Sequence, residues 1–159
     1  MTKNKYLYPE IACVVVLIIF IGLLFAARSG GTQKRVKEIA APVLKVMDIS
    51  EMKRKSAVEA AKVFGFETEK EEGILYYTNE NIMDCSELLI VKLKDEKDTP
   101  AFKKLIEEQV ENQKNLFKNY APEQYALLQK SVIEVSGNTL FYCTAKNADA
   151  VYTAFKKAL

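Results

Sequence analysis

Few residues of this chain suit chemistry, and the tightest group among them is Asp84, Ser86 and Glu87. Two carboxylates beside a hydroxyl could hold a cation or work as an acid/base pair. The same residues also make ordinary turns: Asp84 and Ser86 favour a turn, and Glu87 can pair with a nearby lysine. A second group is Asn119, Tyr120, Glu123 and Tyr125, gathered about Pro122. Phenols and an acid on a loop would suit a sugar or a peptide. The plainer reading is a helix break whose tyrosines pack on a sheet edge. Gly137 and Asn138 are read as backbone geometry, since both tolerate positive φ.

The sequence excludes more than it offers. No histidine occurs in the 159 residues, which removes the commonest general base near neutral pH and the commonest zinc ligand. Ser-His-Asp and Cys-His arrangements are therefore out. The three cysteines, Cys13, Cys85 and Cys143, form no CxxC pair, so no metal knuckle or redox motif is present. Cys85 and Cys143 would bridge in an oxidising space if their strands bring them together; otherwise each is an ordinary small buried residue. No catalytic residue, metal or cofactor is expected, and the chain is read as a non-enzyme. From Thr32 onward 20 basic residues meet 20 acidic ones, so the domain lacks the basic footprint of nucleic-acid binding. Within it, the segment Lys34–Lys62 is locally basic, with 8 cations against 4 acids. Lys53, Arg54 and Lys55 there read as a solvated helix face, or as a surface for anionic headgroups or a wall polymer.

The elements that must position these residues follow from periodicity. Ile11–Ala27 carries 17 residues without a charge, which as a helix spans roughly 26 Å. It is read as one transmembrane helix after a short tail (residues 1–10) and before a six-residue linker (28–33). A cleaved signal peptide would want small residues at the cleavage site, where Phe25 and Ala27 fit badly. A lipoprotein would want its cysteine after the run, whereas Cys13 lies at its start. Flanking charge, with Lys3 and Lys5 on one side and Arg28, Lys34, Arg35 and Lys37 on the other, argues for a cytoplasmic domain. An uncleaved secretory signal has the same outline, so charge alone leaves the side open.

Residues 34–159 read as one α+β domain. Val36, Ile39, Ala40, Val43 and Met47 have helical spacing, with Pro42 expected to kink or split the helix. Ser56 and Glu59 make a capping box for a second helix that Gly65 closes. Ile74–Thr78 and Glu87–Lys94 read as strands, the latter central because it is apolar on both faces. Thr99 and Pro100 start a long helix with Phe102, Leu105, Ile106, Val110, Leu116 and Phe117 inward, and Pro122 starts a short one. Ser131–Val135 and Thr139–Ala145 form a hairpin, and Asn147 caps a last helix. The expected architecture is a two-layer sandwich: a four-stranded, mainly antiparallel sheet with helices on one face.

Three stretches carry a resemblance: Met83–Lys94, Tyr120–Tyr125 with the helix before it, and Val132–Asn138. Together they resemble an uncharacterised domain family of Firmicute bacteria, known as a domain of unknown function. That family has no activity to carry over. The resemblance implies a location: many members look like secreted lipoproteins, so their domains face outward, and some lie near genes for envelope polysaccharide modification. On that basis the chain is expected to be a single-pass membrane protein with an extracytoplasmic domain. That domain would be a binding or accessory module touching the lipid bilayer and an envelope protein or wall polymer. The alternative is a carboxylate-dependent envelope enzyme using Asp84 and Glu87, or an accessory to envelope polysaccharide modification.

Overall fold

The computed structural model describes residues 14–19 and 34–159. The chain divides into two compact units, 1–30 and 31–159. In the first, residues 14–19 are helical with exposed apolar side chains. The expected spanning segment, tail and linker otherwise lie outside the described residues. Among the described residues no helix is long and apolar enough to cross a membrane.

The second unit is built on a five-stranded antiparallel sheet. Its strands are β1 (Met52–Lys55), β2 (Glu71–Asn79), β3 (Glu87–Leu93), β4 (Val132–Ser136) and β5 (Thr139–Thr144), in the spatial order β1-β2-β3-β5-β4. β3 is central, as its two apolar faces require, and all seven of its residues are buried. Each fully buried leucine or isoleucine there contributes roughly 1.5–3 kcal/mol over leaving it in water.

One strand more is present than expected. β1 reads Met-Lys-Arg-Lys, and only Met52 is buried. As an edge strand it needs one apolar anchor, and its three cations blunt the open edge against pairing with another chain. Lys53, Arg54 and Lys55 thus belong to a strand and not to a helix face.

Helices cover both faces of the sheet, where the sequence suggested one. The helices α1 (Val36–Val43) and α5 (Ala148–Ala158) pack on Leu88, Ile90, Phe141 and Cys143. Phe141 and Phe155 stack there at 4.7 Å between ring centroids. On the opposite face α2 (Ala57–Phe64), α3 (Thr99–Phe117) and α4 (Pro122–Gln129) pack on Leu89, Val91, Leu140 and Tyr142. The reason is visible in β3 and β5, whose alternate residues are apolar in both directions. A sheet of such strands loses hydrophobic stabilisation unless both sides are covered.

Local chemistry sets the helix ends. The Ser56 hydroxyl accepts from the Glu59 amide at 3.2 Å, and Glu59 accepts in return from the Ser56 amide at 2.8 Å. Gly65 ends α2 with φ 77°, a left-handed position open to glycine. Pro42 lies in the last turn of α1 and supplies no N–H to the ladder, while the Leu44 amide beyond it still donates to the Ala40 carbonyl at 2.9 Å. At α3 the cap position falls on Asp98, one residue ahead of Thr99. Leu116, expected inside, is 63% exposed. Asn147 stands at the start of α5, but its amide donates to the Val46 carbonyl instead of capping the helix.

Candidate functional site

Glu87 begins β3 and points into the α3 face, where it is buried. Thr78 and Thr144 lie directly opposite it on the two neighbouring strands. Tyr76 and Tyr142 stand one diagonal step further, and both phenols donate to the carboxylate. Tyr76 Oη reaches Oε1 at 2.7 Å and Tyr142 Oη reaches Oε2 at 3.0 Å. Gln113 Nε2, from α3, donates to Oε2 at 3.3 Å. The chain of bonds continues through Thr144 Oγ1, which donates to Tyr142 Oη at 2.9 Å, to Ser131 Oγ at 2.6 Å. The Phe64 ring packs in T-shaped contacts with both Tyr76 and Tyr142, at 5.5 and 5.9 Å between centroids.

Burial raises the carboxyl above its ordinary range, opposed by the hydrogen bonds from Tyr76, Tyr142 and Gln113. Burial also holds both phenols well above their usual values, and the carboxylate adds to that. The result is an acid surrounded by donors that stay protonated. Such a network fixes how β2, β3, β5 and α3 meet, with three donors turned onto the carboxylate, while Gln113 Oε1 is buried without a hydrogen-bond partner among the described residues.

Asp84 does not join this site. Its Oδ1 accepts from the Ser86 amide at 2.8 Å, a local turn bond. It lines a separate cleft with Met47, Met52 and Lys146, to which Glu87 does not contribute. The two carboxylates of the sequence-expected pair therefore have different surroundings, and Glu87 bonds to tyrosines where a lysine was expected. Among the described residues no group of three or more His, Cys, Asp or Glu is arranged to hold a metal ion.

The second sequence-expected group splits in the same way. Asn119, Tyr120 and Glu123 are exposed, while Tyr125 is half-buried against the core. The Tyr120 ring is exposed and leans on Phe117 of α3 at 5.5 Å, where packing on a sheet edge was expected. The working residue of this stretch is Gln124, which sequence reasoning missed. Its Oε1 accepts from the Cys85 amide at 3.0 Å, and Cys85 Sγ donates to its carbonyl at 3.4 Å.

Cys85 and Cys143 are both free and buried, and they lie on opposite faces of the sheet. A bridge between them would have to cross the sheet, so the disulfide is excluded. Burial pushes each thiol up to about 12, which keeps both protonated and unreactive at neutral pH. In the β4–β5 hairpin, Gly137 takes φ 56°, while no non-glycine residue described has positive φ. Positive φ at the first turn position alone is the type II′ pattern, so Asn138 serves otherwise than by a left-handed backbone. Its Nδ2 donates to the Leu93 carbonyl at 2.7 Å, and its own carbonyl accepts from the Leu93 amide at 2.8 Å.

The three stretches that carried the resemblance thus meet as joints of one framework. Cys85 joins Gln124, and Leu93 joins Asn138. These features define an antiparallel α+β domain whose buried acid is consumed internally. A family model described as "Domain of unknown function (DUF4358)" matches residues 45–145, and the chain belongs to that family. No curated protein and no solved structure matches the chain.

Proposed function

We infer that this protein is a bacterial envelope protein held in the membrane by its N-terminal helix, with a non-catalytic binding or accessory domain on the extracytoplasmic side. The observation that carries the reading is the uncharged run Ile11–Ala27, placed just ahead in sequence of a compact folded unit. Resemblance to Firmicute lipoprotein domains supports the outward orientation over the flanking charge. The internal use of Glu87 by Tyr76, Tyr142 and Gln113 supports a binding role over a catalytic one.

Membrane fractionation followed by protease treatment of protoplasts tests this. A chain that resists carbonate extraction and loses its domain to externally added protease is the expected result. Release by carbonate would overturn the anchor, and a domain protected until lysis would overturn the orientation.

A further inference from the structure

A cleft of about 310 Å³ opens on the α1 side of the sheet, where the first turn of α1, strand β1 and the start of β2 come together. Its lining holds four cations, Arg35, Lys37, Arg54 and Lys92, against one carboxylate, Glu72. The domain as a whole is neutral, with 20 basic and 20 acidic residues from Thr32 onward. Positive charge is therefore sorted into this cleft and not merely abundant.

The backbone is shaped to form it. Glu71 pairs with Leu93 and Gly73 with Lys92, so Glu72 is the extra residue of a β-bulge. Gly73 lets α1 lie close at that point, since a Cβ there would stand 3.2 Å from Val36 Cγ2. Lys92 is buried on the central strand, and its ammonium meets Glu72 Oε1 at 3.0 Å. That carboxylate is half-exposed and offsets only part of the cost of burying the lysine. Arg35 is held by Glu38 at 3.2 Å. Lys37 and Arg54 are exposed and make no ion pair among the described residues. Two unpaired cations and a partly compensated buried one thus share a single concavity, and their mutual repulsion is relieved when an anion enters.

We propose that this cleft binds a phosphate-bearing anion, as a phosphomonoester or phosphodiester. A phosphate offers acceptor oxygens in several directions, which suits donors arriving from α1, β1 and β3; a carboxylate offers only two. The Arg54 fork supplies paired donors and Lys37 a mobile point charge. The same chemistry occurs on anionic lipid headgroups and on soluble phosphate esters. The proposal rests on the reading of the domain as a binding module. It is independent of which side of the membrane the domain occupies.

The test uses the full chain in neutral detergent micelles. Inorganic phosphate, glycerol phosphate and short-chain phosphatidylglycerol are each titrated while the Gly73 amide is followed by NMR. Saturable shifts at Gly73 are expected, with affinity lowered about tenfold or more in Lys37→Ala/Arg54→Ala. Lys104→Ala, which removes an exposed cation of α3, should leave affinity unchanged. Saturation by phosphatidylglycerol alone would assign the site to a lipid headgroup, and saturation by all three to the phosphate group itself. No saturable shift with any probe, or equal affinity in the cleft variant and the Lys104 control, would overturn the proposal. Since micelles carry no orientation, failure here with successful protease shaving removes the ligand and keeps the tether. The reverse pair of results removes the tether and keeps the ligand.

Discussion

The Tyr142 hydroxyl donates to Glu87 Oε2 at 3.0 Å from the strand beside it, and both side chains are buried. The bond joins β5 to β3 through side chains as well as backbone, and Tyr76 repeats it from β2 on the other side. A carboxylate in that position is tolerated because donors surround it, yet desolvation still raises its proton affinity.

A pH dependence of stability follows. The folded carboxyl binds its proton more tightly than the unfolded one, so the native state holds more protons between the two values. Its contribution is complete below the unfolded value of about 4.5 and is lost as pH rises through the folded one. Urea unfolding at a series of pH values should show stability falling upward from about pH 4.5 in the wild type. Glu87→Gln should flatten that slope. Glu87→Ala leaves two buried phenols without an acceptor and should cost about 3 kcal/mol or more at every pH. An unchanged slope in Glu87→Gln would mean that the carboxyl is not the group responsible.

Gln124→Ala should loosen the junction of α4 with the segment leading into β3. The Cys85 amide loses its side-chain acceptor at 3.0 Å, a loss of about 1–2 kcal/mol for a buried donor. Hydrogen exchange at Cys85 should accelerate, while exchange at Leu89 in the centre of β3 changes only by the global loss. Equal acceleration at both would show that Gln124 acts on overall stability alone.

Much of this fold is legible in the sequence wherever an element carries its own signal. The Ser56–Glu59 capping box, Gly65, the Thr99-Pro100 start and the two-sided apolar run of β3 each state their structure within a few residues. β1 is not legible because Met52 is its only buried residue, and three neighbouring cations give neither period. Cover on both faces is implied by β3 itself, since helices on one face alone would leave half of its apolar residues without partners. The candidate site was legible only in part. Glu87 stands out as an acid at a strand start, but its tyrosine partners lie 11 and 55 positions away. They meet through strand register, which no local pattern encodes. The bulge at Glu72 was hidden for the same reason. Gln124 gave no signal, since an amide on a short helix looks like surface.

The thiols offer a direct check on which faces Cys85 and Cys143 occupy. With Cys13 replaced by Ser, only these two report. Both are buried and held protonated, so a thiol reagent at neutral pH should label neither until the domain unfolds. The rate of labelling should match the unfolding rate, and mild oxidation should yield no intramolecular bridge. Rapid labelling of either thiol in the folded protein would contradict its burial, and a bridge would contradict the placement on opposite faces.

Asn138 provides the last test, because its side chain, and not its backbone angle, is what the hairpin uses. Its Nδ2 caps the Leu93 carbonyl at 2.7 Å, at the end of the central strand. Thr99 Oγ1 donates to the neighbouring Gly137 carbonyl at 3.4 Å, so the start of α3 rests on the same turn. Asn138→Ala leaves the Leu93 carbonyl without that donor and should cost about 1–2 kcal/mol. Asn138→Asp keeps the shape but sets a carboxylate against a carbonyl, so it should cost more than the alanine change at neutral pH. Acidification should restore part of that difference as the aspartate takes up a proton and can donate. Chemical denaturation of both variants at pH 4 and pH 7 measures it. Equal stability of the two at pH 7 would show that the turn, and not the bond to Leu93, accounts for this residue.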